Sequence, residues 1–83
     1  MYWVAPSLDP VPDHVLARRR QVGIRIRDAR LHANLTQEHL AELTDMTRNS
    51  IINIEFGHFS PRLDTLLMIA DAVRTPLSDL VRD

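Results

Sequence analysis

From residue 14 onward the apolar positions of this chain recur at helical spacing, and no stretch alternates as a strand does. Val15, Val22, Ile26, Ala29 and Ala33 follow one another at intervals of seven, four, three and four. They predict a first helix that starts after Asp13, as an N-cap behind Pro12, and runs to about residue 33. Gly23 falls inside it and predicts that the first two turns form a separate or frayed piece, because glycine weakens a helix interior. A second helix opens at Thr36, whose hydroxyl can cap it, and turns Leu40, Ala41 and Leu43 inward. After a tight turn at Asp45, Thr47 caps a third helix with Met46, Ile51 and Ile54 on its buried side. Gly57 ends it as a left-handed residue. Leu63, Leu66, Ile69, Ala70 and Val73 form the stripe of a fourth helix that starts near Pro61 or Arg62. Thr75 and Pro76, a cap followed by a first-turn proline, open a short fifth helix with Leu77, Leu80 and Val81.

The expected fold class is therefore all-α, a compact bundle of five helices over residues 14–83. Residues 1–13 hold three of the five prolines and no periodicity, and are expected to form an extended arm with Tyr2, Trp3 and Val4 as candidate anchors. Eighty-three residues suffice for one small domain. The absence of cysteine rules out disulfides and thiolate metal sites. His14, His32, His39 and His58 show no metal-ligand spacing, and the two glycines make no phosphate loop. The Ser and Thr hydroxyls are accounted for as helix caps rather than nucleophiles, so neither catalysis nor a cofactor or metal is expected. No run approaches the ~18 apolar residues of a membrane span, and the start of the chain lacks a secretory pattern. A cytoplasmic location without membrane contact is the expectation.

Charge changes the picture only when resolved along the chain. Ten arginines and no lysine stand against eleven acidic residues, for a net charge of −1. Residues 14–30 carry +5, with Arg18, Arg19, Arg20, Arg25, Arg27 and Arg30 against Asp28, whereas residues 31–60 carry −3. A near-neutral total argues against a non-specific polyanion binder, but it leaves room for local basic patches. The run at Arg18, Arg19 and Arg20 is either solvated or within reach of phosphates.

Two short helices joined by a tight turn, over residues 36–44 and 47–56, have the pattern of a helix-turn-helix, whose second helix enters the DNA major groove. Matching residues extend across the chain: Val22-Gly23, Ile26-Arg27 and Arg30, then Leu35-Thr36-Gln37-Glu38, Leu40-Ala41 and Met46-Thr47. They continue through Ile51, Ile54-Glu55, Gly57, Pro61, Leu63, Thr65-Leu66, Ile69-Ala70 and Leu77 to Leu80. At these positions the chain resembles the Cro/C1-type (XRE) helix-turn-helix domains. The resemblance implies a five-helix, lambda-repressor-like bundle that binds double-stranded DNA, most often as a homodimer on a palindromic operator. It departs from the pattern at Asp45 and Arg74, which stand where the family often has glycine, and in a less basic loop at His58, Phe59 and Ser60.

Carried over by position, the resemblance implies base reading by Arg48, Asn49, Ile52 and Asn53, which share one face opposite Ile51 and Ile54. Arginine and asparagine suit guanine and adenine edges, and isoleucine suits a thymine methyl. Phosphate contacts are expected from Thr36, Gln37, Thr47, His58, Ser60 and Arg62. Arg30 and Glu55 match a partly buried structural ion pair. Leu77, Leu80 and Val81, with the end of the fourth helix, are the expected dimer surface, to which the arm adds or from which it stays free. The expected function is transcriptional regulation, as a repressor or autoregulator under the control of abundance or of a separate regulatory protein partner. The alternative is a protein-interaction module of the same fold, an adaptor or antitoxin-like partner without operator binding, suggested by Ile52, Phe56 and Phe59.

Overall fold

The computed structural model describes residues 11–83. Among these, five helices follow in order: α1 (Asp13–His32), α2 (Gln37–Leu43), α3 (Arg48–Glu55), α4 (Leu63–Ala72) and α5 (Leu77–Val81). The candidate anchors Tyr2, Trp3 and Val4, and the arm up to residue 10, lie outside the described residues. Every helix contributes one aliphatic side chain that is at most 1% exposed: Ile26, Leu40, Ile51, Ile69 and Leu80. Burying such a side chain contributes about 1.5–3 kcal/mol. Ala41, Ile54, Ala70 and Val73 close the remaining space.

All four connections between helices are built alike. The residue after each C-cap is left-handed: Asn34 (φ 60), Asp45 (φ 54), Gly57 (φ 75) and Arg74 (φ 56). The next N–H reaches back five residues in each case, from Leu35 to Arg30 O, Met46 to Ala41 O, His58 to Asn53 O and Thr75 to Ala70 O. Otherwise orphaned carbonyls are thus satisfied, and the chain turns sharply enough to pack consecutive short helices. Only Gly57 uses the residue that adopts this conformation without strain.

Several sequence expectations are corrected. Asp13 is the first residue of α1 rather than its cap; Pro12 takes the cap position, and its carbonyl accepts from Val15 and Leu16 N–H at 3.0 Å. Helix α1 runs unbroken through Gly23, which is buried against α3. Val15 is exposed at the rim of an apolar groove that it lines with Val22, Leu66 and Val81. Leu43 is 53% exposed, and Thr44 takes the inward position, its hydroxyl donating to Leu40 O at 2.7 Å. At 100° per residue, Leu43 lies roughly a third of a turn from the centre of the Leu40–Ala41–Thr44 face. Leu63 is 61% exposed, since a spacing of three drifts backward around the helix and carries it to the flank. Pro76, not Thr75, occupies the cap position of α5, and the Thr75 hydroxyl donates to Val73 O at 3.3 Å.

Candidate nucleic-acid interface

The α2–turn–α3 unit is held by its own sequence at both starts. Thr36 Oγ1 accepts from His39 N–H at 3.0 Å, and Thr47 Oγ1 accepts from Ser50 N–H at 3.1 Å. Asp45 supplies the left-handed turn between them. Helix α3 has only eight residues, so at 3.6 residues per turn it makes about two turns, and its faces divide cleanly. Ile51 and Ile54 are buried on the inner side, Arg48 and Asn49 are exposed and Ile52 and Asn53 half-buried on the other, and Glu55 is buried at the edge between them, seven residues after Arg48. The four residues expected to read bases therefore share one outward face.

Behind that face lies a polar anchor. The guanidinium of Arg30 donates from Nε to Glu55 Oε2 at 2.7 Å and from Nη2 to Oε1 at 3.1 Å, a two-point pairing. Its Nη1 donates to Leu35 O at 2.9 Å, and Gln37 Nε2 donates to Glu55 Oε1 at 3.2 Å. Arg30 and Glu55 are 7% and 6% exposed, so losing either partner would strand a buried charge. One carboxylate thus joins α1, the start of α2 and the end of α3. Gln37 is oriented by this network and is half-buried at the first turn of α2.

Arg27, Arg30, Thr36, Gln37, Glu38 and Arg48 line one open cleft between α1, α2 and α3. Arg27 matches the family pattern but is not among the contacts expected from the sequence; its signal is its position three residues before Arg30, on the same flank of α1. The hydroxyl of Thr36 acts only as an acceptor in its cap, so its proton is available to a phosphate oxygen. The hydroxyl of Thr47 donates instead to Ser50 Oγ at 2.9 Å. In the loop after α3, His58 stacks on Phe56 with centroids 5.8 Å apart. Arg62 is held only by a 3.9 Å approach to Asp64, with both side chains at least 80% exposed. Ser60 lines a separate apolar groove with Val15, Val22, Leu66 and Val81.

The other arginines of α1 have intramolecular partners. Arg18 Nε lies 2.8 Å from Asp83 Oδ1, Arg19 Nε donates to Gly57 O at 2.8 Å, and Arg25 bonds the carbonyl of Arg82. Arg20 packs its backbone and Cγ under Gly57. The Arg-rich run therefore tethers α1 to the end of α3 and to the segment after α5. Leu80, expected at a dimer surface, is 1% exposed within its own chain and belongs to the core; Leu77 is half-buried and Val81 exposed. Among the described residues no group of three or more His, Asp or Glu is placed to hold a metal ion, and no helix is long and apolar enough to cross a membrane.

Comparison with known proteins agrees with this geometry. A sequence model of the helix-turn-helix family matches residues 26–80. The chain is 37% identical over 60 residues to the immunity repressor protein of Bacillus phage phi105, covering 72% of this chain and 42% of that protein. It is 34% identical over 59 residues to the cryptic phage CTXphi transcriptional repressor RstR of Vibrio cholerae, covering 71% of this chain and 53% of that one. The chain thus spans about half the length of these relatives. Among solved structures, the restriction-modification controller protein C.AhdI from Aeromonas hydrophila matches with a TM-score of 0.74 at 30% identity, covering 77% of this chain and 97% of that one.

Proposed function

The chain belongs to the Cro/C1-type helix-turn-helix family, and on that footing we propose that it is a sequence-specific regulator of transcription that binds double-stranded DNA. One observation carries the proposal. Arg48, Asn49, Ile52 and Asn53 form the outward face of a short helix whose back is locked by Ile51, Ile54 and the Arg30–Glu55 pair. A helix so held presents donors in a preset geometry, with Arg48 suited to guanine and the asparagines to adenine. Gln37, Thr36, Arg27 and Arg62 are the phosphate-contacting set that fixes its register, with Thr47, His58 and Ser60 as further candidates. The regulator acts as a homodimer, a repressor or autoregulator on a palindromic operator, with the two α3 helices about 34 Å apart in successive major grooves. Leu77 and Val81, together with the exposed Leu63 and Leu67 of α4, are the apolar surface from which such a dimer is built. The names of the phage repressors support the repressor role, and their greater length leaves room for regions that this chain does not match.

The test is selection of binding sites from random duplex DNA, followed by a salt titration. Enrichment of a palindrome is expected, and Arg48→Ala should cost about 1–3 kcal/mol and relax preference at one base position. Failure to enrich any duplex at low salt would refute the proposal. That outcome would favour a protein-interaction module, the second reading, to which the exposed Phe59 lends support.

A further inference from the structure

Phe56 is 63% exposed, the largest fraction among the exposed large hydrophobic residues described. It stands seven residues after Asn49 and four after Ile52, so its side chain leaves α3 on the same side as theirs. Its backbone remains right-handed helical (φ −84, ψ −5), so the helical register carries through it. At 1.5 Å rise per residue it lies about 10.5 Å beyond Asn49 along the axis, on the order of three base-pair steps of ~3.4 Å.

The ring is held rather than loose. Phe56 and His58 straddle Gly57 and stack, with rings 5.8 Å apart and inclined by 22°. Gly57 is itself clamped: Arg19 Nε donates to its carbonyl at 2.8 Å, and an added Cβ would meet Arg20 Cα at 2.8 Å. An aromatic pair is thus fixed at the C-terminal end of the face that presents Arg48, Asn49, Ile52 and Asn53. The nearest carboxylate of α3, Glu55, lies seven residues after Arg48 but is buried and paired with Arg30. Two apolar side chains one turn apart, among donors suited to base edges, match the one apolar group exposed in the major groove, the 5-methyl of thymine.

We propose that Phe56, backed by His58, contacts a thymine 5-methyl in each half-site, about three base-pair steps from the position Asn49 reads, and sets specificity there. The inference rests on the DNA reading above and adds a second methyl contact beyond that of Ile52. It is tested with the full chain on the duplex enriched by selection, each thymine being replaced in turn by uracil, which removes only the methyl. Two positions per half-site are expected to weaken binding about fourfold each, the value of one buried methyl-sized group. In Phe56→Ala one of the two positions loses its sensitivity while the other, that of Ile52, keeps it. A uracil scan with no second sensitive position, or with none that Phe56→Ala changes, overturns the contact while leaving DNA binding intact. Equal weakening on thymine and uracil duplexes by Phe56→Ala also overturns it, because that is the mark of a merely structural ring. If no duplex is enriched, the DNA reading and this contact fall together.

Discussion

Gly23→Ala is the substitution for which local and tertiary physics give opposite signs. In an isolated helix, alanine in place of glycine stabilises by about 0.8–1 kcal/mol. In this protein an added Cβ would lie 2.4 Å from Glu55 O and 2.6 Å from Ile54 O, both backbone atoms that no rotamer change can move. Restoring an ordinary contact of roughly 3.5 Å requires α1 and the end of α3 to part by about 1 Å. That displacement acts directly on the Arg30–Glu55 pairing at 2.7 Å and the Arg19–Gly57 bond at 2.8 Å, both of which span the same two elements. Overpacking typically costs about 1–3 kcal/mol, and a weakened hydrogen bond to a charged group about 1.5–3 kcal/mol. Even after the propensity gain, a net loss of about 2–4 kcal/mol is expected, worth on the order of 10 °C or more in melting temperature for a domain of this size. Urea and thermal unfolding of Gly23→Ala measure it, with Gln21→Ala at an exposed position of α1 as a control expected to lie within about 0.5 kcal/mol of the parent. A Gly23→Ala protein as stable as the parent, or more so, would refute the close crossing of α1 and α3 as the reason for the glycine.

Glu55→Ala should lower stability by about 3–5 kcal/mol in urea, because it strands Arg30 in the interior and releases Gln37. Unchanged stability with altered base preference would instead make Glu55 part of the reading surface. Arg74→Gly should raise stability by about 0.5–1 kcal/mol by relieving a left-handed backbone, whereas Arg74→Ala should bring no such gain. Equal effects of the two would show that the φ of 56 at this position carries no strain. Arg27→Ala should weaken binding to all selected duplexes alike and reduce the salt slope by about one, as expected for a lost phosphate contact. A change confined to particular base sequences would assign Arg27 to base reading instead.

Much of the architecture is legible in local signals, because those signals act within a few residues. Thr36 and Thr47 cap their helices through bonds to N–H groups three residues on, and Gly57 adopts the left-handed conformation its position implied. The outward grouping of Arg48, Asn49, Ile52 and Asn53 follows from helical periodicity and the buried Ile51 and Ile54 alone. Leu43 and Leu63 differ from expectation because their angular positions put them at the flanks of their helices, and Leu80 because periodicity identifies an apolar face without saying whether it meets this chain or another.

Sequence by itself determined the five helices, the turn chemistry and the outward face of α3, since each depends on residues in contact along the chain. Tertiary structure alone decided the role of Gly23, which reads as a weak point in one helix and serves as the contact between two. It alone decided the arginines as well. Net charge cannot tell a guanidinium bonded to Gly57 or Asp83 from one left facing an open cleft, and that difference separates Arg19 and Arg18 from Arg27. The physical reason is common to both: a side chain's partner across the bundle lies tens of residues away in sequence, and only packing brings the two within bonding distance.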